Sequence, residues 1–281
     1  MKCLNLGCGR RFHRDWTNVD FSSVDQGVIT YDLSTGIPFP DNSFDLVYHS
    51  HLLEHLPGAI APHFIKECYR VLRSPGILRI VVPDLEQIAR TYLTALEMAS
   101  SGQPEWDANY NWILLEMYDQ VARNQSGGEM VNYLSRHDLP NQEFILQRWG
   151  IEAETMIQLL HQQVNSQPLP RLYARLVTRF RRFYKLLRNS SDRRNLFLKL
   201  VLGQEYQALE IGRFRLSGEV HYWMYDRYSL KRLLNQCGFT DITLQTATAS
   251  LTPDWSKWNL DTEPDGTIYK PDSLFMEGVK L

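Results

Sequence analysis

Short hydrophobic runs alternate with turn residues over the first 85 positions of the chain. The run Leu4-Asn5-Leu6 ends in the glycine turn Gly7-Cys8-Gly9, and such runs are typical of buried strands. The pattern predicts strands at 3–6, 17–20, 28–32, 44–48 and 77–82. A helical spacing of apolar residues predicts a helix over 60–73, which ends at the turn Ser74-Pro75-Gly76. Strands that alternate with helices indicate a parallel α/β sheet.

The periodicity becomes helical after residue 85, and strand signals return only near the end of the chain. Apolar spacing predicts helices near 85–96 and 112–121, with a break at Gly127-Gly128. A last helix is predicted over 228–236, followed by strands at 241–244 and 274–279. We therefore predict a first part of an α/β core over 1–85, an all-helical insertion over 86–218, and the rest of the core over 219–281.

Composition excludes several classes of protein. The chain has 281 residues and a formal net charge of −2, so no overall basic field suggests nucleic acid as a partner. Its four cysteines form no CxxC pair, which argues against a cysteine-bound zinc ion or a disulfide framework. The N-terminus lacks the apolar stretch of a signal peptide, and we expect a soluble, cytoplasmic protein.

The glycine turn is the first candidate for ligand chemistry. A turn of this kind at the carboxyl end of the first strand is where parallel α/β folds bind nucleotides. Asp20 ends the next predicted strand and can accept hydrogen bonds from ribose hydroxyl groups. The dinucleotide fingerprint is incomplete, because Phe12 stands at the third glycine position and Asp20 follows Gly9 by about 11 residues rather than ~20. A simple tight turn is the alternative.

The whole series of motifs resembles the class I S-adenosylmethionine-dependent methyltransferases. The resemblance rests on LNLGCG, NVD, YDLS, PFPDNSFDLVYHSHLLEHL and ECYRVLRSPGILRIVVPDL, with a looser likeness over 219–281. It implies a Rossmann-like, mostly parallel sheet and S-adenosylmethionine as cofactor. It implies that Gly7 and Gly9 contact the methionine moiety, Asp20 the ribose, and Asp32 with Leu33 the adenine. The remaining residues that it implies for the cofactor site are Asn5, Cys8, Tyr48, His49 and Ser50, with His51 beside them.

The chain departs from this family at the glycine turn. Asn5 stands where the family usually has an acid before the turn, and Arg10 or Arg11 stands where it has a third glycine. Seven residues separate Gly9 from Thr17, too few for a crossover of ~10–12 residues, so we expect a vestigial first helix. We therefore expect the helical insertion to cover the pocket as a lid, with Trp112, Tyr118 or the Gly127-Gly128 pair nearest to it.

The heptapeptide HSHLLEH, residues 49–55, allows two kinds of site. His49, His51 and His55 suggest a metal-dependent hydrolase, but the acid falls one residue late for the H-x-H-x-D-H pattern, and no complete ligand set is visible. We expect no metal site. His51 is the candidate general base beside the cofactor, whereas His49 and His55 are expected to bond the backbone and cap the helix.

Other candidate functional residues could instead have a purely structural role. His221 precedes the returning helix and is a candidate for acceptor contact or catalysis, while Asp226 and Asp84 are expected to cap helices. Residues 171–194 hold nine Lys or Arg against one Asp and form a basic amphipathic pattern. Its part 171–188 either contacts a membrane surface or packs on its own domain.

Together these features predict a methyltransferase. We expect methyl transfer from S-adenosylmethionine to a small-molecule, glycan or lipid-linked acceptor, at oxygen, with His51 and His221 as the candidate catalytic residues. The alternative is a partner subunit that binds the cofactor without turnover, because fold alone does not fix function.

Overall fold

A seven-stranded sheet forms the centre of the molecule. The computed structural model describes residues 1–22, 25–165 and 190–281. The strand order is β3-β2-β1-β4-β5-β7-β6, and β7 runs antiparallel to both of its neighbours. The strands are β1 Cys3–Leu6, β2 Thr17–Asp20, β3 Val28–Thr30, β4 Phe44–Ser50, β5 Leu72–Pro83, β6 Thr240–Leu244 and β7 Ser273–Lys280. The predicted Rossmann-like, mostly parallel sheet is confirmed.

The helices fall where the periodicity places them. They are α1 Ala61–Val71, α2 Leu85–Ser100, α3 Glu105–Ala122, α4 Gly128–Leu134, α5 Gln142–Asn165, α6 Ser190–Leu202, α7 Tyr206–Arg215 and α8 Arg227–Gln236. Helix α1 is shorter than predicted, because the backbone turns extended at Leu72 and β5 starts there. No helix separates β1 from β2, as the short spacing predicts.

The two faces of the sheet are covered differently. Helices α1 and α8 pack on one face through an aliphatic core that includes Phe64, Leu78 and Leu230. The other face lacks a crossover helix after β1, and an aromatic cluster around Trp16 and Trp255 covers it instead. Burial of these aromatic rings supplies the apolar contact that a helix would otherwise provide.

The helical segment enters and leaves the core at one edge of the sheet. Helix α2 starts after Asp84, whose side chain accepts hydrogen bonds from the N–H groups of Glu86 and Gln87. Asp84 also pairs with Tyr225, just before α8, and the Leu85 N–H donates to the Tyr225 carbonyl at 2.9 Å. This edge is the carboxyl end of β5, where such folds bind ligands. The exact domain boundaries at 85/86 and 218/219 stay a prediction.

Buried polar contacts join the helices of the segment to one another, and one glycine lets the segment pack on the core. The Arg148 guanidinium on α5 bonds the Glu116 carboxylate on α3 at 2.8 Å through Nε, and it also reaches Thr91 on α2. Gly150 bends α5 with a φ of 59°, and a Cβ there would lie 2.8 Å from Pro271 Cδ. This glycine lets α5 pack directly on the loop before β7.

The structure bears on two expectations from composition, which concern membrane-spanning helices and the cysteines. Within the described ranges, no helix has the length and apolar character needed to cross a membrane. All four cysteines are buried and carry free thiols. The basic segment 171–188 lies outside the described residues.

Candidate functional site

The glycine turn after β1 has the backbone geometry that a ligand site requires. Gly7 and Gly9 have φ angles of 65° and 52°, a region that L side chains rarely adopt. The Gly7 N–H donates to the Val19 carbonyl at 2.8 Å, which ties the turn to β2. A Cβ at Gly7 would lie 3.0 Å from Leu52, whereas a Cβ at Gly9 would meet no atom within 4 Å. Gly9 therefore faces open space that a ligand can approach at backbone distance.

Asp20 connects the end of β2 to this turn. Its Oδ2 accepts a hydrogen bond from the Gly9 N–H at 2.8 Å, and its Oδ1 accepts one from the Ser22 N–H at 3.0 Å. A carboxylate has about four lone-pair sites, so these two bonds leave acceptor positions for ribose hydroxyl groups. Asp20 thus orders the turn and offers hydrogen-bond acceptors in the same place.

Two cavities adjoin the glycine turn. The first, which we call the turn cavity, measures about 400 Å³. The predicted residues that line it are Asn5, Gly7, Cys8, Gly9, Tyr48, Ser50 and His51. Tyr269 and Lys270 close its opposite wall, and the Arg11 guanidinium lies 4.0 Å from the Tyr269 ring centroid. The loop before β7 therefore covers this cavity, whereas no described residue of the helical segment lines it.

The second cavity, the Asp20 cavity, also measures about 400 Å³ and shares Gly7 with the first. Asp20, Asp32 and Leu33 line it, together with Phe21, Tyr31, Ile60 and Tyr222. Asp32 accepts hydrogen bonds from the Ser34 N–H and hydroxyl, which fixes its side chain at the wall. Asp20 ends β2 and Asp32 follows β3, so both acids line one cavity, and their contacts with ribose and adenine stay a prediction.

The structure does not place His49 among the residues that line the cofactor site, contrary to the prediction. Its side chain is fully buried against the Phe64 ring of α1, and it lines none of the three cavities described here. Consecutive strand residues point to opposite faces, so Tyr48 and Ser50 face the turn cavity while His49 faces α1. The prediction that His49 bonds the backbone is also wrong, because both of its ring nitrogens lack a hydrogen-bond partner among the described residues. Burial lowers the pKa of His49 to about 4.

A third cavity, the insertion cavity, lies between the core and the helical segment. It measures about 410 Å³. Its apolar wall includes Ile88, Met130, Trp149 and Met156, and its polar wall includes His51, His55, His221, Glu116, Glu152, Glu219, Arg123, Lys270 and Asp272. Gly127 lines it as predicted, whereas Trp112 is fully buried in the core of the helical segment and Tyr118 is exposed to solvent.

His51 lies where the turn cavity meets the insertion cavity, because it lines both. Its backbone has a φ of 50°, a conformation that is uncommon outside glycine and clusters at functional sites. His51 Nδ1 lies 3.2 Å from Glu54 Oε1, and Nε2 lies 2.9 Å from Ser273 Oγ. The nearby carboxylate, which can only accept a hydrogen bond, favours the tautomer in which Nδ1 carries the proton and Nε2 offers its lone pair. Burial lowers the pKa of His51, so the ring is neutral near pH 7.

Glu54 and His221 complete this cluster. Glu54 is fully buried, and although burial alone raises its pKa, the hydrogen bond from His51 and the nearby His55 and His221 bring it to about 2. The His55 and His221 rings contact edge to face with centroids 4.6 Å apart, and burial lowers the pKa of His221 to about 3. His55 bonds the backbone as predicted, through Nδ1 to the Val220 carbonyl at 3.3 Å.

The segment before α8 places His221 in the cluster. The His221 N–H donates to the Gln120 carbonyl of α3, and the Tyr222 N–H donates to the Glu54 carbonyl at 2.8 Å. Asp226 then caps α8 by accepting from the Tyr228 and Ser229 N–H groups, as expected. The cap and the two backbone bonds hold His221 between the core and the helical segment.

The sequence reasoning missed two residues of the site, Lys270 and Asp272. Lys270 lines both the turn cavity and the insertion cavity, and its ammonium lies 2.8 Å from the Glu152 carboxylate. Asp272 lines the insertion cavity, and burial raises its pKa to about 7 with a further contribution from Glu116. Lys270 and Asp272 fall in a loop without a motif. They precede the last strand, and since that strand runs antiparallel to β5, its start lies at the carboxyl end of β5.

Comparison with known proteins agrees with this geometry. Residues 4–80 match the family model of a methyltransferase domain. Similar solved structures include 1,6-didemethyltoxoflavin-N1-methyltransferase from Burkholderia thailandensis, 19% identical over 29% of this chain and 44% of that chain, with a TM-score of 0.25. A SAM-dependent methyltransferase from Archaeoglobus fulgidus is 12% identical over 100% and 86%, with a TM-score of 0.38. No curated protein matches the chain.

Residues 4–80 therefore match a methyltransferase domain, and S-adenosylmethionine is the cofactor that this match indicates. The residues present fit this group, because Gly9 opens onto free space and Asp20 keeps free acceptor positions beside it. The chain spans less than half the length of the Burkholderia enzyme that it matches.

Proposed function

We propose that this protein methylates a hydroxyl group of a small-molecule, glycan or lipid-linked acceptor that binds in the insertion cavity. The observation that carries the proposal is the position of His51, which lines both the turn cavity and the insertion cavity. A donor in the first cavity and an acceptor in the second would meet at this side chain. Alignment of two reactants removes much of the entropic barrier to their reaction.

His51 is the proposed base. When bound, S-adenosylmethionine supplies an electrophilic methyl group, and the electron pair of the broken C–S bond stays on sulfur as the new C–O bond forms. His51 Nε2 takes the proton that the acceptor hydroxyl loses, and Glu54 stabilises the resulting imidazolium through Nδ1. In the structure Nε2 lies 2.9 Å from Ser273 Oγ. The acceptor hydroxyl would replace the Ser273 hydroxyl as the partner of Nε2.

The wall of the insertion cavity supports a polar acceptor. Four carboxylates line it, at Glu116, Glu152, Glu219 and Asp272. Carboxylates accept hydrogen bonds from hydroxyl groups, whereas Trp149 and the methionines can cover the apolar faces of a sugar ring or a lipid segment. This mixture favours a polyhydroxylated acceptor over a purely apolar one.

The test measures S-adenosylhomocysteine released from S-adenosylmethionine in the presence of glycan and lipid-linked sugar fractions. We expect acceptor-dependent turnover by the wild type, and a loss of about 10²–10⁴-fold in kcat for His51→Ala with cofactor affinity retained. His63→Ala, on the exposed side of α1, is the matched control and should keep full activity. Cofactor binding without turnover on every fraction would instead support the inactive partner subunit.

A further inference from the structure

Two adjacent side chains and one that is distant in sequence meet beside His51. One potential ligand atom from each of Glu54, His55 and His221 lies within 4.8 Å of the others. A tetrahedral metal ion bound at ~2.0–2.1 Å holds its ligand atoms roughly 3.3 Å apart. Small rotations of these side chains would therefore close the set around one ion. The spacing of these residues in the sequence does not reveal the cluster, because only the fold brings His221 close to Glu54 and His55.

The two imidazoles are oriented for metal binding. His55 Nδ1 lies 3.3 Å from the Val220 carbonyl, which can only accept, so Nδ1 carries the proton and Nε2 offers a lone pair. His221 is 5% exposed, and its Nδ1 has no hydrogen-bond partner within the part of the chain that the structure describes. An unpartnered ring nitrogen at this depth is costly unless a ligand satisfies it.

The charge of the cluster also favours a cation. Glu54 is 0% exposed, and neither of its carboxylate oxygens has a hydrogen-bond partner among the described residues, although Oε1 lies 3.2 Å from His51 Nδ1. A buried carboxylate whose oxygens lack hydrogen-bond partners is costly, and buried carboxylates in proteins are paired or bind metals.

We propose that Glu54, His55 and His221 bind one divalent transition-metal ion of the zinc type. Two histidines and one glutamate form the donor set of catalytic zinc sites, in which a fourth position stays open. His55 and His221 line the insertion cavity, so that open position would accept an oxygen atom from a molecule in this cavity. An acceptor hydroxyl bound there would have a lowered pKa. This proposal replaces the expectation that the chain has no metal site.

The test measures metal binding directly, without cofactor or acceptor, so its outcome is independent of the proposed function. Protein stripped with a chelator is titrated with Zn²⁺ in a calorimeter and with Co²⁺ in a visible spectrometer. We expect one ion per chain and Co²⁺ absorption typical of nitrogen and oxygen ligands. His55→Ala, His221→Ala and the isosteric Glu54→Gln should each lower the affinity by about 100-fold or more.

Two controls exclude surface histidines. His63→Ala and the double variant His137→Ala/His161→Ala, which removes an exposed stacked pair, should bind the ion as the wild type does. Circular dichroism and S-adenosylhomocysteine affinity report whether each variant is folded. Absence of saturable binding of one ion by the wild type would overturn the proposal, and so would wild-type affinity in folded His55→Ala and His221→Ala.

Discussion

At the scale of single residues, Asp20 combines two tasks. It holds the Gly9 N–H at 2.8 Å and presents free acceptor positions to the Asp20 cavity. Removal of its carboxylate therefore affects both the shape of the turn and the bonds available to a ribose. This coupling makes Asp20 the sharpest single position for a test of the cofactor site.

We predict that Asp20→Ala weakens binding of S-adenosylmethionine by about 1.5–3 kcal/mol, because charge-assisted hydrogen bonds are lost. Isothermal calorimetry of wild type and variant measures the difference. Asp15→Ala, whose side chain is 78% exposed, is the matched control and should bind as the wild type does. Equal affinity in wild type and Asp20→Ala would remove Asp20 from the site.

Asp272 gives a prediction on pH. Burial raises its pKa to about 7, so the folded state prefers the protonated acid. Its contribution to stability is full below the ordinary pKa of 3.8 and is lost as the pH rises through 7. Asp272→Asn, which stays neutral, should therefore gain stability over the wild type between pH 5 and pH 8, on the order of 2–3 kcal/mol.

Thermal unfolding of Asp272→Asn and wild type at pH 5 and pH 8 measures this gain. The exposed Asp15→Asn should show no comparable change with pH. A difference between Asp272→Asn and wild type that is the same at both pH values would show that the carboxyl of Asp272 does not titrate in this range.

The residue scale also shows what the sequence could not supply. The glycine turn, Asp20 and Asp32 could be placed because each ends a strand that its hydrophobic run makes visible. His49 was misplaced because a four-residue stretch was assigned to one wall, although β4 continues through it and alternates its faces. The meeting of Glu54 and His221 depends on contacts across more than 160 positions, which no local pattern encodes.

At the scale of elements, the helical segment is joined to the core at Asp84 and Tyr225 and lines the insertion cavity, and we propose that it covers this cavity. Hydrophobic periodicity predicted its first two helices, but neither the later helices nor their packing. Gly127 and Gly128 both have positive φ, and a Cβ at Gly127 would lie 2.6 Å from Val131. The Glu219 carboxylate accepts from the Gly127 N–H at 2.9 Å, so this turn is tied to the segment that carries His221.

We predict that ligands slow hydrogen exchange in this cover. Addition of S-adenosylhomocysteine together with an acceptor fraction should protect the lining segments near 116–131 and 149–156, because cavity closure excludes water. Helix α1, which packs in the main core, is the internal reference and should not change. Protection confined to residues 1–85 would indicate that the helices serve assembly or a surface contact instead.

At the scale of the whole molecule, three cavities adjoin along the carboxyl edge of the sheet. Gly7 joins the Asp20 cavity to the turn cavity, and His51 joins the turn cavity to the insertion cavity. The mostly parallel sheet and the change to helices could be predicted, because the hydrophobic periodicity changes at residue 86. The closing loop before β7 was not, because it contains no regular element and its role follows from tertiary packing.

The central claim is that donor and acceptor meet at His51, and a crystal structure with S-adenosylhomocysteine tests it most directly. We predict the adenosine group in the Asp20 cavity and the sulfur in the turn cavity, within about 7 Å of His51 Nε2, a distance that leaves room for one methyl group and one acceptor oxygen. Cofactor sulfur on the far side of the glycine turn, without access to the insertion cavity, would contradict the claim.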